Sequence, residues 1–307
     1  MISFRFHLVS LVAVFLALGV GVLTGTTVLN RGIVRQLQNQ TEGLSGDLDE
    51  LRASVNRLES EAEVWSAFGE ETMGPLLSGR LAGRQIVIVT QEGTDGATLT
   101  GVRRSLEEAG AEVVALLAVS GRMALEGEAD REALGTAVGL DPALDAETLS
   151  AEAAALLADR LTNGPNGTDT LELLLDGDFL VVQGARLEET GLRTLGGPDQ
   201  VVVAVAGGPA PSRLQPAAFL VPLVEDLVAR GLMVAAAEPA RGEEQEPPFV
   251  TVLRGDGEVA ARLATQDNVD QVPGQIGLAL AVEDLLQGTP GHYGIKDGAT
   301  RPIPEFA

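Results

Sequence analysis

The sequence predicts an α/β protein rooted in a membrane: an N-terminal transmembrane helix and a coiled-coil stalk, followed by a three-layer, mainly parallel α/β domain. Three observations predict it. Residues 8–29, LVSLVAVFLALGVGVLTGTTVL, carry no charged side chain, and about 20 helical residues at ~1.5 Å rise cross a ~30 Å hydrocarbon core. A heptad repeat follows directly. From Arg84 onward, short β-branched runs alternate with amphipathic helical stretches, the pattern of a sheet wound with helices. The boundaries read from these changes are 1–31 for the tail and span, 32–70 for the coil and 71–307 for the α/β domain.

The first residues, MISFRFH, place Arg5 and His7 ahead of the apolar run, as at the start of a signal sequence. The run is longer than a signal-peptide core, and its small-x-small pair, Ala17 and Gly19, lies inside the apolar stretch, so an uncleaved anchor is expected. Arg31 and Arg35 on the far side nearly balance Arg5, leaving positive-inside counting close to parity. The short tail before a signal-like run places the globular domain outside the cytoplasm, in the cell membrane or envelope. Within the span Ala13, Ala17, Gly21 and Gly25 recur every four residues, a spacing that lets two helices approach closely in lipid.

In the heptad, Val34, Thr41, Leu48, Val55 and Ala62 share position a, and Leu37, Leu44, Leu51, Leu58 and Trp65 share position d. Valine at a with leucine at d favours a parallel homodimer. Asp47 at g and Arg52 at e are placed to pair between chains. Such a stalk also offers a surface for an envelope protein partner. The stalk is expected to end near Phe68, before Gly74-Pro75.

In the remainder, Gln85–Thr90, a glycine-rich turn, a helix ending at Gly110 and the run Glu112–Val119 form a βαβ signature. Residues 123–176 read as helical, with breaks at Asp141-Pro142 and Asn163-Gly164-Pro165. Further strands are expected at Phe179–Val182, Gln200–Ala206 and Leu232–Ala237, with the last at Ala261–Thr265. A strongly apolar helix should run from Gly274 to Leu286.

Composition narrows the chemistry. A net charge of -23 argues against nucleic acid as a partner and leaves the lipid bilayer to the span alone. With no cysteine, disulfides, thiolate metal sites and a cysteine nucleophile are excluded. The turn QEGTDGAT after the first strand is not GxGxxG, lacks a P-loop lysine and carries Asp95, which would repel a phosphate. Histidine occurs only at positions 7 and 292, and Ser105 and Ser212 lie in no nucleophile motif. No enzyme is expected. Asp267 and Asp270, in QDNVD after the expected last strand, and His292 are the candidate metal or ligand residues. The two carboxylates suit a hard cation or polar ligand and equally suit helix capping or a turn.

The two ends of the chain, MISFRFHLVSLVAVFLALGVGVLTG and TQDNVDQVPGQIGLALAVEDLLQGTPGHYG, together resemble the mycobacterial copper transporter MctB family of actinobacteria. The order of span, coil and α/β domain fits it from end to end. The resemblance implies an envelope protein linked to copper efflux and homeostasis, with copper as the implied ligand, and similarity to corynebacterial proteins of cell separation. That second likeness keeps open an alternative role as a coiled-coil envelope scaffold. Gly291, His292, Tyr293 and Gly294 match the terminal motif without being assigned a role by it.

Overall fold

The computed structural model describes residues 4–165, 167, 169–183, 191, 195–208, 213–240 and 248–305; side chains at 26–43 and 45 lie outside the described set. The chain divides into two compact units, Met1–Trp65 and Ser66–Ala307. One helix, α1 (Phe4–Leu77), contributes to both.

In the first unit, Phe4–Gly25 is the one stretch among the described residues long and apolar enough to cross a membrane. Its large apolar side chains are exposed, as are Leu44, Leu48, Leu51, Val55 and Leu58 beyond it, at 43–63 % of their full areas. Ion pairs Arg52–Asp49 and Arg57–Glu61 run along the helix surface. Val34 and Leu37, two of the heptad residues, fall among the side chains outside the described set.

The second unit opens with the last turns of α1, which do not stop at Gly74-Pro75 as the sequence predicts. The helix passes through Pro75 because Met73 and Leu77 are buried in the core and hold it in place. Tertiary packing here outweighs the lost backbone hydrogen bond. Gly69 lies against Val272 so closely that a β-carbon there would overlap the valine side chain.

The remaining strands are β1 (Gln85–Gln91), β2 (Glu112–Val119), β3 (Leu180–Val182), β4 (Val201–Val205), β5 (Met233–Ala237), β6 (Ala264–Gln266) and β7 (His292–Tyr293). The helices are α2 (Gly96–Glu108), α3 (Glu128–Val138), α4 (Ala146–Asn163), α5 (Thr170–Asp176), α6 (Leu220–Ala229), α7 (Phe249–Gly255), α8 (Gly257–Ala260) and α9 (Val272–Leu286). The sheet order is β3-β2-β1-β4-β5-β6-β7. Every neighbouring pair is parallel except β2 with β3. The sheet is therefore mixed, with an antiparallel edge.

Strands β1, β4 and β5 read as continuous apolar runs because both faces are covered. Val87, Val89, Val202, Ala204, Val234 and Ala236 pack in one cluster with side chains of α4, α5, α6 and α7. Ile86, Ile88, Val201, Val203, Ala235 and Ala237 pack in another with Met73, Leu77, α2 and α9. The sequence placed the last strand at Ala261–Thr265. It begins later, at Ala264, and β7 follows it, supplied by the segment after α9. A two-residue strand carries too little pattern to be seen in advance.

Candidate functional site

Strand order reverses between β1 and β4, where ligands of open α/β sheets commonly sit at the carboxyl ends of the strands. Beside it the loops after β1 and β4 approach closely. Gly93, with φ +92°, presents its carbonyl to Gly208, where any β-carbon would overlap it. Asp95 is the N-cap of α2, its carboxylate accepting from the Thr98 N–H at 2.8 Å and Thr98 Oγ1 at 2.9 Å. These bonds hold its carboxyl below the usual carboxylate range, and its charge already serves the helix N-terminus.

Of the candidate residues from the sequence, Asp267 lies in a polar cluster at the carboxyl ends of β5, β6 and β7, with His292 beside it on β7. Asp267, directly after β6, is completely buried. One carboxylate oxygen accepts from the Ile295 N–H at 2.6 Å; the other accepts from the Lys296 N–H at 3.1 Å and Arg254 Nη1 at 3.0 Å. Arg254 comes from α7 and its side chain is 2 % exposed. Its Nη2 donates to the Tyr293 carbonyl at 2.7 Å, Nη1 also to the Asp297 carbonyl at 3.1 Å, and Nε to Thr265 Oγ1 at 2.8 Å. Burial lowers the Arg254 pKa, and the adjacent Asp267 charge opposes that shift. Gly294 (φ +126°) must be glycine, since a β-carbon there would strike the Asp267 carboxylate.

A second pair lies beside the first. Glu238 directly follows the apolar strand β5 and accepts from Lys296 Nζ at 2.8 Å, while Nζ also donates to the Pro239 carbonyl at 2.8 Å. Lys296 is the only lysine in the chain. Asp270 does not join this cluster: its carboxylate accepts from the Ala240 N–H at 2.6 Å and ties two loops together. Neither aspartate caps α9, whose N-cap is Gln271 with no side-chain capping bond.

His292 sits on β7 against β6. Thr265 Oγ1 takes a hydrogen from Arg254 Nε, so its own proton is free for His292 Nδ1, 3.0 Å away. With Nδ1 accepting, the neutral imidazole carries its hydrogen on Nε2. Burial, and then the Arg254 charge, push its pKa down, which favours this neutral form. The Nδ1 lone pair is thus engaged by the fold. The neighbouring Tyr293 hydroxyl donates to Asp284 at 3.1 Å, and burial first, then this bond, raise its pKa to about 12.

Copper would need donors that this arrangement does not offer. Among the described residues no three of His, Asp and Glu are grouped to hold a metal ion. Met73 and Met123 are buried in different core clusters, whereas soft metals need such ligands together. Ser105 is buried and donates to the Val102 carbonyl of its own helix; Ser212 lies outside the described residues.

Arg254, Glu238, Thr265 and Lys296 were not singled out by sequence reasoning. Two signals were present: a carboxylate closing the strand MVAAAE, and a lone lysine in a chain otherwise served by arginine.

The Glu238–Lys296 pair has a pH signature. Burial raises the Glu238 pKa and the Lys296 charge opposes the rise. A carboxyl with a raised folded pKa binds protons in the native state, so its contribution to stability falls as pH rises through that pKa. In Lys296→Met the opposing charge is gone. The variant should lose roughly 2–3 kcal/mol near pH 8, less than the 3–5 kcal/mol of a fully buried pair because the lysine is partly exposed. The deficit should shrink at pH 5 as Glu238 protonates. Melting temperatures of both proteins at the two pH values measure this; a deficit independent of pH would refute the assignment.

An exposed apolar N-terminal helix long enough to cross a membrane, followed by an α/β domain, fits a single-pass membrane protein. The family model for the copper transport outer membrane protein MctB matches residues 1–304, and the chain belongs to that family. Relatives named copper transporter MctB, from Mycobacterium bovis and Mycobacterium tuberculosis, are 26% identical over 314 residues, covering 97% of this chain and 98% of theirs. The family name denotes transport rather than an enzymatic activity.

Proposed function

We propose that this protein serves copper transport or homeostasis in the cell envelope as a single-pass membrane subunit that acts in an assembly. The observation that carries the reading is the family match along essentially the whole chain. The assembly is required because a single span cannot enclose a path for an ion, and one span is what the described residues contain. Copper is then cargo of the assembly and is not stored on the α/β domain, where among the described residues no three of His, Asp and Glu are grouped and His292 Nδ1 is engaged by Thr265.

The finer architecture belongs to the same proposal. Residues 34–65 form a parallel coiled-coil dimer, supported by the exposed leucine and valine stripe. The domain beyond it is three-layered, supported by two separate core clusters lined by alternate residues of the same strands. It stands outside the cytoplasm, supported by the short tail before a signal-like run.

A deletion strain tests the function. It should grow poorly in elevated copper, and both the wild-type gene and His292→Ala should restore growth equally. Normal copper tolerance of the deletion strain would reject the function, and failure of His292→Ala, with the protein present at normal level, would make His292 a metal ligand. Protease added to spheroplasts of the complemented strain should remove the domain; its protection would reverse the orientation.

A further inference from the structure

The heptad of the stalk does not stop at the membrane. Counting back from Val34 and Leu37 by sevens places Ala13, Val20 and Thr27 at position a and Val9, Leu16, Leu23 and Asn30 at position d. No helix break separates them from the stalk, since α1 runs unbroken through residues 26–45. The positions flanking this seam in the span are mostly small: Ala17 and Thr24 at e, Gly19 at g. Gly21 and Gly25, by contrast, fall on the outer b and f positions.

A second observation is geometric. The span carries a shallow apolar groove of about 550 Å³ lined by Val12, Phe15, Leu16, Gly19, Val20 and Leu23. Leu16 (d), Gly19 (g), Val20 (a) and Leu23 (d) are the four residues that form the hole for a partner's a-position knob in a parallel coiled coil. Gly19 is the floor, and nothing lies within 4 Å of where its β-carbon would be. Lipid chains fill any apolar surface equally well, so they give no reason for a notch in the phase of the stalk. A second copy does.

We propose that the membrane span is itself part of the dimer interface, with the Leu16/Val20/Leu23 face of one copy packed on the same face of a second copy, Val20 of each entering the hole at Gly19 of the other. This rests on the stalk dimer proposed above and extends it into one left-handed seam from Val9 to Trp65. A strict heptad repeat imposes that hand. The Ala13, Ala17, Gly21 and Gly25 spacing is the competing face, and it would cross right-handed. Of its residues only Ala13 lies on the heptad seam, so the other three separate the two geometries. The consequence is that the two copies keep one register from the membrane to the end of the stalk.

The chain has no cysteine, so single cysteines can be placed in the full-length protein in native membranes and oxidised with iodine, a membrane-permeable oxidant. Leu16→Cys, Val20→Cys and Leu23→Cys should form disulfide-linked dimers at least threefold faster than Ala17→Cys, Gly21→Cys and Gly25→Cys. Leu51→Cys in the stalk is the reference. Faster coupling at 17, 21 and 25, or equal coupling at all six, overturns the proposal. Coupling at 51 with none in the span overturns it and leaves the stalk dimer standing. No coupling at 51 or in the span removes both. As a second arm, Gly19→Leu fills the hole and should slow coupling of Leu23→Cys severalfold without changing that of Leu51→Cys; an unchanged rate at 23 counts against the notch.

Discussion

Asp267→Asn should lower the melting temperature by roughly 10–15 °C with no ligand or metal present. The estimate follows from removing one partner of a buried ion pair, which costs about 3–5 kcal/mol, in a unit whose size converts 1 kcal/mol into about 2–4 °C. Asp267 and Arg254 have side-chain exposures of 0% and 2%, so water cannot replace what is lost. An asparagine keeps the shape but loses the charge, and it presents an NH₂ group to at least one of three donors, Ile295 N–H, Lys296 N–H and Arg254 Nη1. Those donors hold the segment from His292 to Asp297 onto the sheet, and the pairing of β7 with β6 should loosen first. Thermal melting of the metal-free protein is the measurement. An unchanged melting temperature, with ligand-dependent stabilisation present in the wild type and absent in the variant, would show that Asp267 serves a ligand instead.

Leu51→Asp should turn a dimer into a monomer. In a soluble fragment beginning at Gly32, the wild-type stalk is expected to sediment as a dimer at micromolar concentration. Leu51 lies at a d position near the middle of the repeat and is 59% exposed in the isolated chain. Two carboxylates facing each other in the seam must be desolvated or must force the helices apart, and either costs several kcal/mol. The effect should reach the far end of the stalk. Trp65 is the only tryptophan and is 67% exposed in the isolated chain. Its emission should be blue-shifted in the wild-type dimer and move to the red in the variant. A wild-type fragment that is monomeric at these concentrations would contradict the coil.

The two predictions differ in how early their residues could be found. Leu51 is visible in the sequence because a seven-residue repeat is local information, carried by one helix. Asp267 was visible only as one of several carboxylates near a strand end, with capping, turn and ligand roles all open. Its partner Arg254 is 13 residues earlier and the backbone it holds is 28 and 29 residues later. His292 shows the same limit. A lone histidine in a terminal motif invites a metal reading, and only the Arg254–Thr265–His292 hydrogen-bond order reveals that its Nδ1 lone pair is in use.

Much of the secondary structure was legible for the same local reason. Strand Glu112–Val119 and the helical breaks at Asp141-Pro142 and Asn163-Gly164 stand where the sequence put them. The continuation of α1 through Pro75 was not legible, because proline reads as a stop until Met73 and Leu77 are seen inside the core. Nor was β7, whose two residues form a strand only because β6 offers a free edge. By itself the sequence determined an apolar stretch of spanning length, a heptad repeat, an alternating α/β order and a chain without cysteine, all properties of composition and short-range period. Only the tertiary structure decided the strand order, the close approach of Gly93 and Gly208 beside the switch point, and the use of the terminal motif as a buried clasp. Each of those depends on contacts between distant segments, whose energies arise from burial and pairing that no local pattern records.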